Sequence, residues 1–170
     1  MKDLPLKAAI RKTCIIRHAQ RKDCAVLVDL MRELAEFEGY AQHFKVTESV
    51  LHEKLIDQRI FSVLVAEQEH QLIGMLVYYH LPFTYDLNPW TYIKELYVIE
   101  DFRSQNVGFK LVKQLACECE IKGSNKIRWD VLSSNLKAQQ FYYSLGARHE
   151  REWMLFSLSG ENIRQIAACA

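Results

Sequence analysis

The stretch LYVIEDFRSQNVGFKLV, residues 96–112, has the clearest chemical potential in the chain: a β-rich run passes into a helical pattern through a turn led by Arg103. Such a turn points several backbone N–H groups in one direction. The helix start adds partial positive charge and Arg103 a full one, so a pyrophosphate can be held there without a lysine-rich pocket. The spacing fits neither the dinucleotide-binding nor the P-loop glycine pattern. Cys117 and Cys119 invite a metal reading, but residues two apart on a helix point in different directions and no second Cys/His pair lies at zinc spacing, so packing is the better account.

These residues need a frame. Residues 1–13 read as a flexible leader, and CIIRHA at 14–19 as a first strand. Val26, Leu27, Leu30, Met31, Leu34 and Phe37 recur at three- and four-residue spacings, predicting a helix from an Asp23 N-cap to Glu38, stopped by Gly39. Thr47 caps a second helix through about Asp57, carrying Val50, Leu51, Leu55 and Ile56 inward. Residues 61–68 and 71–81 form a hairpin around Glu69 and His70, with Gly74 marking a bulge or a close approach. The proline-bearing segment 81–90 is a loop, 91–99 a strand, 109–121 a crossover helix ended by Gly123, 126–132 a strand, 135–144 a helix and 153–158 a last strand. The order predicts an α/β fold, a mixed central sheet flanked by helices on both faces.

At 170 residues, with 49% apolar and 25% charged, the chain is long enough for one core, and residues 14–170 read as a single domain. Twenty-two basic residues against 21 acidic ones give a net charge of +1 without basic clustering, which argues against nucleic acid as partner. No apolar run approaches the roughly 18–20 residues of a membrane span, and the start lacks a secretory hydrophobic core, so the expectation is a cytoplasmic protein with no membrane partner. Five scattered cysteines, an odd number, favour reduced thiols.

Residues 96–112 resemble the acyl-coenzyme A motif of the GNAT superfamily of N-acetyltransferases, Arg/Gln-x-x-Gly-x-Gly/Ala after a central strand. Here it reads Arg103-Ser104-Gln105-Asn106-Val107-Gly108. Asn106 stands where the family has its first glycine, and asparagine is among the residues that best tolerate positive φ. The resemblance extends over roughly residues 14–158. It is also carried by LMRELAEFE at 30–38, FTYDLNPW at 83–90, YIKELYVIEDFR at 92–103 and NLKAQQFYYSLGA at 135–147, and within the superfamily it is closest to the spermidine/spermine (diamine) N-acetyltransferases.

The resemblance implies direct transfer of an acetyl group from acetyl-CoA, as cosubstrate, to a primary amine of a small-molecule diamine or polyamine, without a covalent acyl-enzyme and without a metal. It also implies a homodimer sharing the substrate cleft. By position, the main-chain N–H of Val98 polarises the acetyl carbonyl and Leu96 flanks the pantetheine arm. Arg103, Ser104, Gln105, Asn106, Val107, Gly108 and Phe109 surround the pyrophosphate, Asn135 is a further coenzyme contact, and Tyr142 protonates the coenzyme sulfur. Its phenol is protonated at neutral pH, as that task requires.

The base is altered: family members often have Glu-Asp where this chain has Lys94-Glu95. Adjacent strand residues face opposite sides, so Glu95 replaces the missing glutamate only if a bulge turns it. It is the nearest carboxylate, a candidate water-relayed base, with His80 as competitor. Acids and aromatic faces that hold a second ammonium group are Glu33, Glu36 and neighbouring Glu38 on the first helix, Asp86 and Trp90 in the proline-flanked loop, and Glu152 before Trp153. A lysine-like amino acid, an aminoglycoside or a protein lysine are alternative acceptors. A non-catalytic acyl-CoA-binding module is the alternative that Asn106 and Lys94 suggest.

Overall fold

The computed structural model describes residues 13–82, 84 and 86–169. The leader expected at 1–13 falls, but for Thr13, outside them. The chain divides into two compact units, Met1–Asp130 and Val131–Ala170.

Among the described residues the first unit is built on five strands, β1 (Cys14–His18), β2 (Ser62–Gln68), β3 (Gln71–Pro82), β4 (Pro89–Val98) and β5 (Lys126–Arg128), in the spatial order of their numbers. All neighbours are antiparallel except β4 and β5. Helices α1 (Cys24–Phe37) and α2 (Glu48–His52) lie between β1 and β2 in sequence, and α3 (Val107–Ile121) is the crossover from β4 to parallel β5. Continuous apolar runs make β2 and β3 the central strands, buried on both faces. One face packs Val63, Val65, Met75, Val77 and Tyr97 against α1 and α2. The other packs Leu64, Leu76, Tyr78 and Ile93 against Val107, Leu111 and Leu115 of α3.

Local chemistry explains most boundaries. Glu69 and His70 both adopt left-handed φ, 51° and 66°, as a two-residue hairpin turn demands. Thr47 Oγ1 accepts the Val50 N–H at 3.4 Å, and α2 then widens into a π-turn over Glu53–Asp57. Asp23 precedes α1, but its carboxylate makes no cap bond within the helix. It takes Arg17 at 2.6 and 3.0 Å and the Gln20 N–H at 2.7 Å instead. On α1 the buried residues are Cys24, Leu27, Val28, Leu30, Met31, Leu34 and Ala35, whereas Val26 and Phe37, expected inside, are exposed.

Three expectations about strands are corrected. The 81–90 loop is shorter, because Pro82 pairs with Pro89 and Leu81 with Trp90 at the strand ends, where a missing N–H is tolerated. Strand 126–132 stops at Arg128, since β4 offers it only Trp90–Tyr92. Residues 153–158 form no strand; the apolar run suggested a buried one, but Trp153, Met154, Leu155 and Phe156 are exposed.

The second unit holds α4 (Leu136–Ser144) and α5 (Gly160–Ala168). Asn135 caps α4 by accepting the Ala138 N–H at 3.1 Å, and Gly146, at φ +84°, ends it. Among the described residues no helix is long and apolar enough to cross a membrane.

Candidate active site

Two bulges shape the sheet. On β3, Ala66 pairs with Gly74 and Glu67 with Leu72, leaving Ile73 as the extra residue. On β4, Val77 pairs with Glu95 and Tyr78 with Ile93, leaving Lys94 as the extra residue. The second bulge sets the direction of Glu95. Ile93 faces α3, while Glu95, opposite Val77, lies on the α1 face with Tyr97. Regular alternation would have kept Ile93 and Glu95 on one side; the bulge turns Glu95 to the side where an acid at position 94 would otherwise point.

Glu95 is largely buried and its Oε2 has no hydrogen-bond partner. Burial, reinforced by the charge of Glu38 and opposed by that of Lys94, raises its pKa above the ordinary carboxylate value. Around it stand residues from the end of α1. Tyr97 donates its hydroxyl to Glu33 Oε2 at 2.9 Å. Tyr40 shares a hydrogen bond with Glu38, and burial together with the charge of Glu95 pushes its phenol up to about 12. Glu33 and Phe37 are four apart on α1, a spacing by which their shared face could have been read from sequence, whereas Tyr40 lies beyond the helix end at Gly39. Tyr40 and Phe37 are the site residues the sequence reading missed. Glu36 is exposed beside them.

The edge of β4 opposite β3 is open beyond Tyr92, because among the described residues β5 pairs only with Trp90–Tyr92. Ile99 N–H donates to Ile73 O at 3.0 Å, which sets the alternation: Tyr97 points its backbone groups at β3, while Leu96 and Val98 point theirs at the open edge. Their side chains pack towards α3. Arg103 Nε donates to Val98 O at 2.9 Å, and its guanidinium lies 5.6 Å from the ring centres of both Phe37 and Tyr97. Arg103 therefore braces the turn against β4 and α1.

The turn itself uses two left-handed residues, Ser104 at φ 62° and Asn106 at φ 61°. Asparagine thus takes the backbone shape that the family glycine supplies. Lys110 N–H to Asn106 O, 3.0 Å, opens the α3 ladder, so the N–H groups of Val107, Gly108 and Phe109 have no partner within the helix. No side chain caps the start of α3. Gln105 is turned back onto Asp101 O at 3.0 Å. Gly74 makes this geometry possible: a Cβ there would meet Tyr97 O at 2.8 Å and Val107 Cγ1 at 3.5 Å, so strand, edge and helix start converge on its missing side chain.

Other candidates sit elsewhere. His80 holds Thr91 Oγ1 at 2.9 Å through Nδ1 and accepts from Lys122 Nζ at 2.9 Å through Nε2; burial and the Lys122 charge lower its pKa. Pairing with Thr91, it lies at the end of the sheet remote from Val98, with both ring nitrogens engaged. Trp90, at the same end, is covered by Lys126 and Arg128, 4.6 and 5.0 Å from its ring centre. Asp86 is exposed and bonded to Asn88, whose hydrogen bonds lower its pKa. Trp90 is five residues from Glu95, about 17 Å along a strand, so these two are not brought to the carboxylate. Asn135, Tyr142, Glu152 and Trp153 belong to the second unit, where Tyr142 stands on α4 with its ring 5.3 Å from that of Phe141.

The site is thus a sheet opened beside a bulged strand, with an uncapped helix start at its end. The model of the acetyltransferase (GNAT) family matches residues 27–147, and the chain belongs to that family. It is 33% identical to the Mus musculus thialysine N-epsilon-acetyltransferase over 168 residues, 89% of this chain and 96% of that protein. It is 28% identical over 89% of its length to the human spermidine/spermine N(1)-acetyltransferase-like protein 1, of which the match covers 23%. Among solved structures, an integron cassette protein from the mobile metagenome of V. cholerae shares the fold at a TM-score of 0.78, 22% identity, and coverage of 91% and 98% of the two chains. The chain is thus an acetyl-CoA-dependent N-acetyltransferase of GNAT type, close to the polyamine acetyltransferases.

Proposed function

We propose that this enzyme acetylates the primary amine at the end of a short, flexible aliphatic chain: a diamine, a polyamine or a lysine-like amino acid. The observation that carries the reading is Glu95, a buried carboxylate turned by the bulge to the α1 face with an unpartnered oxygen. An unsatisfied buried acceptor is costly, and an entering ammonium group removes that cost. The raised pKa suits Glu95 to take the proton that the amine must lose before attack. Acetyl-CoA supplies the activated acetyl group. The N–H groups at the start of α3 and in the preceding turn hold its pyrophosphate, Arg103 keeps that turn against β4, and the Val98 N–H on the open edge polarises the carbonyl. Tyr142 returns a proton to the sulfur.

Acceptor length and charge have two supports. Glu33, Glu36 and Glu38 make the end of α1 acidic, as a diamine or polyamine would require, and the human relative is named for such substrates. The mouse relative is named for thialysine, which carries its amine on an amino acid. Thiol release from acetyl-CoA measured with 1,3-diaminopropane, putrescine, spermidine, lysine and thialysine tests the reading. Turnover of at least one is expected. Coenzyme A binding with turnover of none would replace it by a non-catalytic binding module.

A further inference from the structure

The substrate class follows from Lys94, on the basis of the amine-acetylation reading above. Lys94 is the extra residue of the β4 bulge. Alternation from Ile93 turns it to the α1 face, the same face that Glu95 reaches through its pairing with Val77. The β3 bulge behaves alike, for Ile73 packs on the α3 side and the missing side chain of Gly74 points to Val107 there. Two consecutive residues of opposite charge thus share one face, their Cα atoms about 3.8 Å apart, with Glu95 half-enclosed and Lys94 exposed beside it.

The neighbours of this pair are already engaged. Glu33 accepts from Tyr97 and Glu38 is bonded to Tyr40, while Glu36 is in solvent. Lys94 takes part in no hydrogen bond or ion pair among the described residues. An entering molecule therefore meets a buried carboxylate with one oxygen free of hydrogen bonds and, beside it, an exposed ammonium that acts on that carboxylate through its charge alone. A diamine satisfies the first and brings its second ammonium group towards a like charge, which counts against it in a site partly shielded from water. A molecule with an amine at one end and a carboxylate at the other satisfies both.

We propose that Lys94 is a specificity-determining residue that receives the carboxylate of the acceptor, so that the enzyme prefers amino acids of the lysine type to the corresponding diamines. Lysine and cadaverine differ only in that carboxylate, and their kcat/KM values test it, with the acetylated nitrogen located by mass spectrometry. The parent should prefer lysine. Lys94→Gln should lower the lysine-to-cadaverine ratio about fivefold and Lys94→Glu about twentyfold, chiefly through KM for lysine, and Lys94→Arg should restore it. Any effect of Lys94 on the basicity of Glu95 acts on both acceptors and cancels in the ratio. A parent that prefers cadaverine, or a ratio unchanged in both variants, overturns the proposal. Turnover of neither acceptor by the parent overturns the short-amine reading itself and the proposal with it.

Discussion

The roles proposed for Glu95 and Tyr142, base and acid, make separable predictions. Glu95 must be ionised to accept a proton, and its pKa is raised by burial, so the acidic limb of the kcat/KM profile should lie above the ordinary carboxylate range. Glu95→Gln should remove that limb and lower kcat at least tenfold; a profile with the limb intact would assign it to another group. The same shift has a consequence for folding. A carboxyl group that holds its proton more tightly folded than unfolded costs stability as pH rises from its unfolded pKa through its folded one. Glu95→Gln should therefore melt higher than the parent at neutral pH while working more slowly, a combination that calorimetry and kinetics would read together. Tyr142→Phe should lower turnover at least tenfold with coenzyme A affinity similar to the parent's, and unchanged turnover would remove the phenol from the acid role. The motif around Tyr142 was legible in the sequence. The direction of Glu95 was not, because a bulge is a register event that only the pairing of β3 with β4 displays.

At the scale of elements, the start of α3 is the end of the site proposed to hold the cofactor, and Gly74 is what lets β3, β4 and α3 come together there. Gly74→Ala would drive a methyl group against the Tyr97 carbonyl, a backbone atom that cannot swing aside. The expected cost is about 1–3 kcal/mol, with coenzyme A binding weakened at least as strongly as expected from stability alone. Chemical denaturation and equilibrium binding on the same variant check both halves. The register behind this contact was not legible beforehand, yet an isolated glycine inside an apolar strand was a fair sign of it. The turn was equally readable: positive φ at Asn106 follows from asparagine's tolerance of that region. Arg103 was legible as a cation at the turn, whereas its seat on Val98 O between Phe37 and Tyr97 depends on α1 lying across β4, which no local pattern encodes.

For the whole molecule, the order of helices and the central hairpin were written in periodicity, and the expectations about strands that failed were those resting on composition alone. WMLFSL reads as a buried strand wherever it occurs, but a strand exists only beside an edge that pairs with it, and residues 129–132 show the same limit next to β5. A tie of the opposite kind, short in sequence and central to assembly, joins β1, β2 and the start of α1: Arg17 bridges Asp23 and Glu67, with Nε 2.8 Å from Glu67 Oε2. Burial works to raise the pKa of Asp23, but the hydrogen bonds from Arg17 and the Gln20 N–H outweigh it, and the net direction is downward. A carboxylate depressed in this way lends stability above its unfolded pKa and loses it as pH falls through the folded one. Asp23→Ala leaves the half-buried Arg17 guanidinium with Glu67 as its one remaining carboxylate among the described residues and should cost about 1–3 kcal/mol at neutral pH, some 2–12 °C in Tm for a chain of this size. The difference from the parent should shrink as both are acidified below the folded pKa. Because β1 lies three strands from β4, about 14 Å across the sheet, kcat at a temperature where both are folded should be unchanged. A variant that lost turnover at unaltered Tm would show that this knot positions the site and does not merely hold the sheet to its helix.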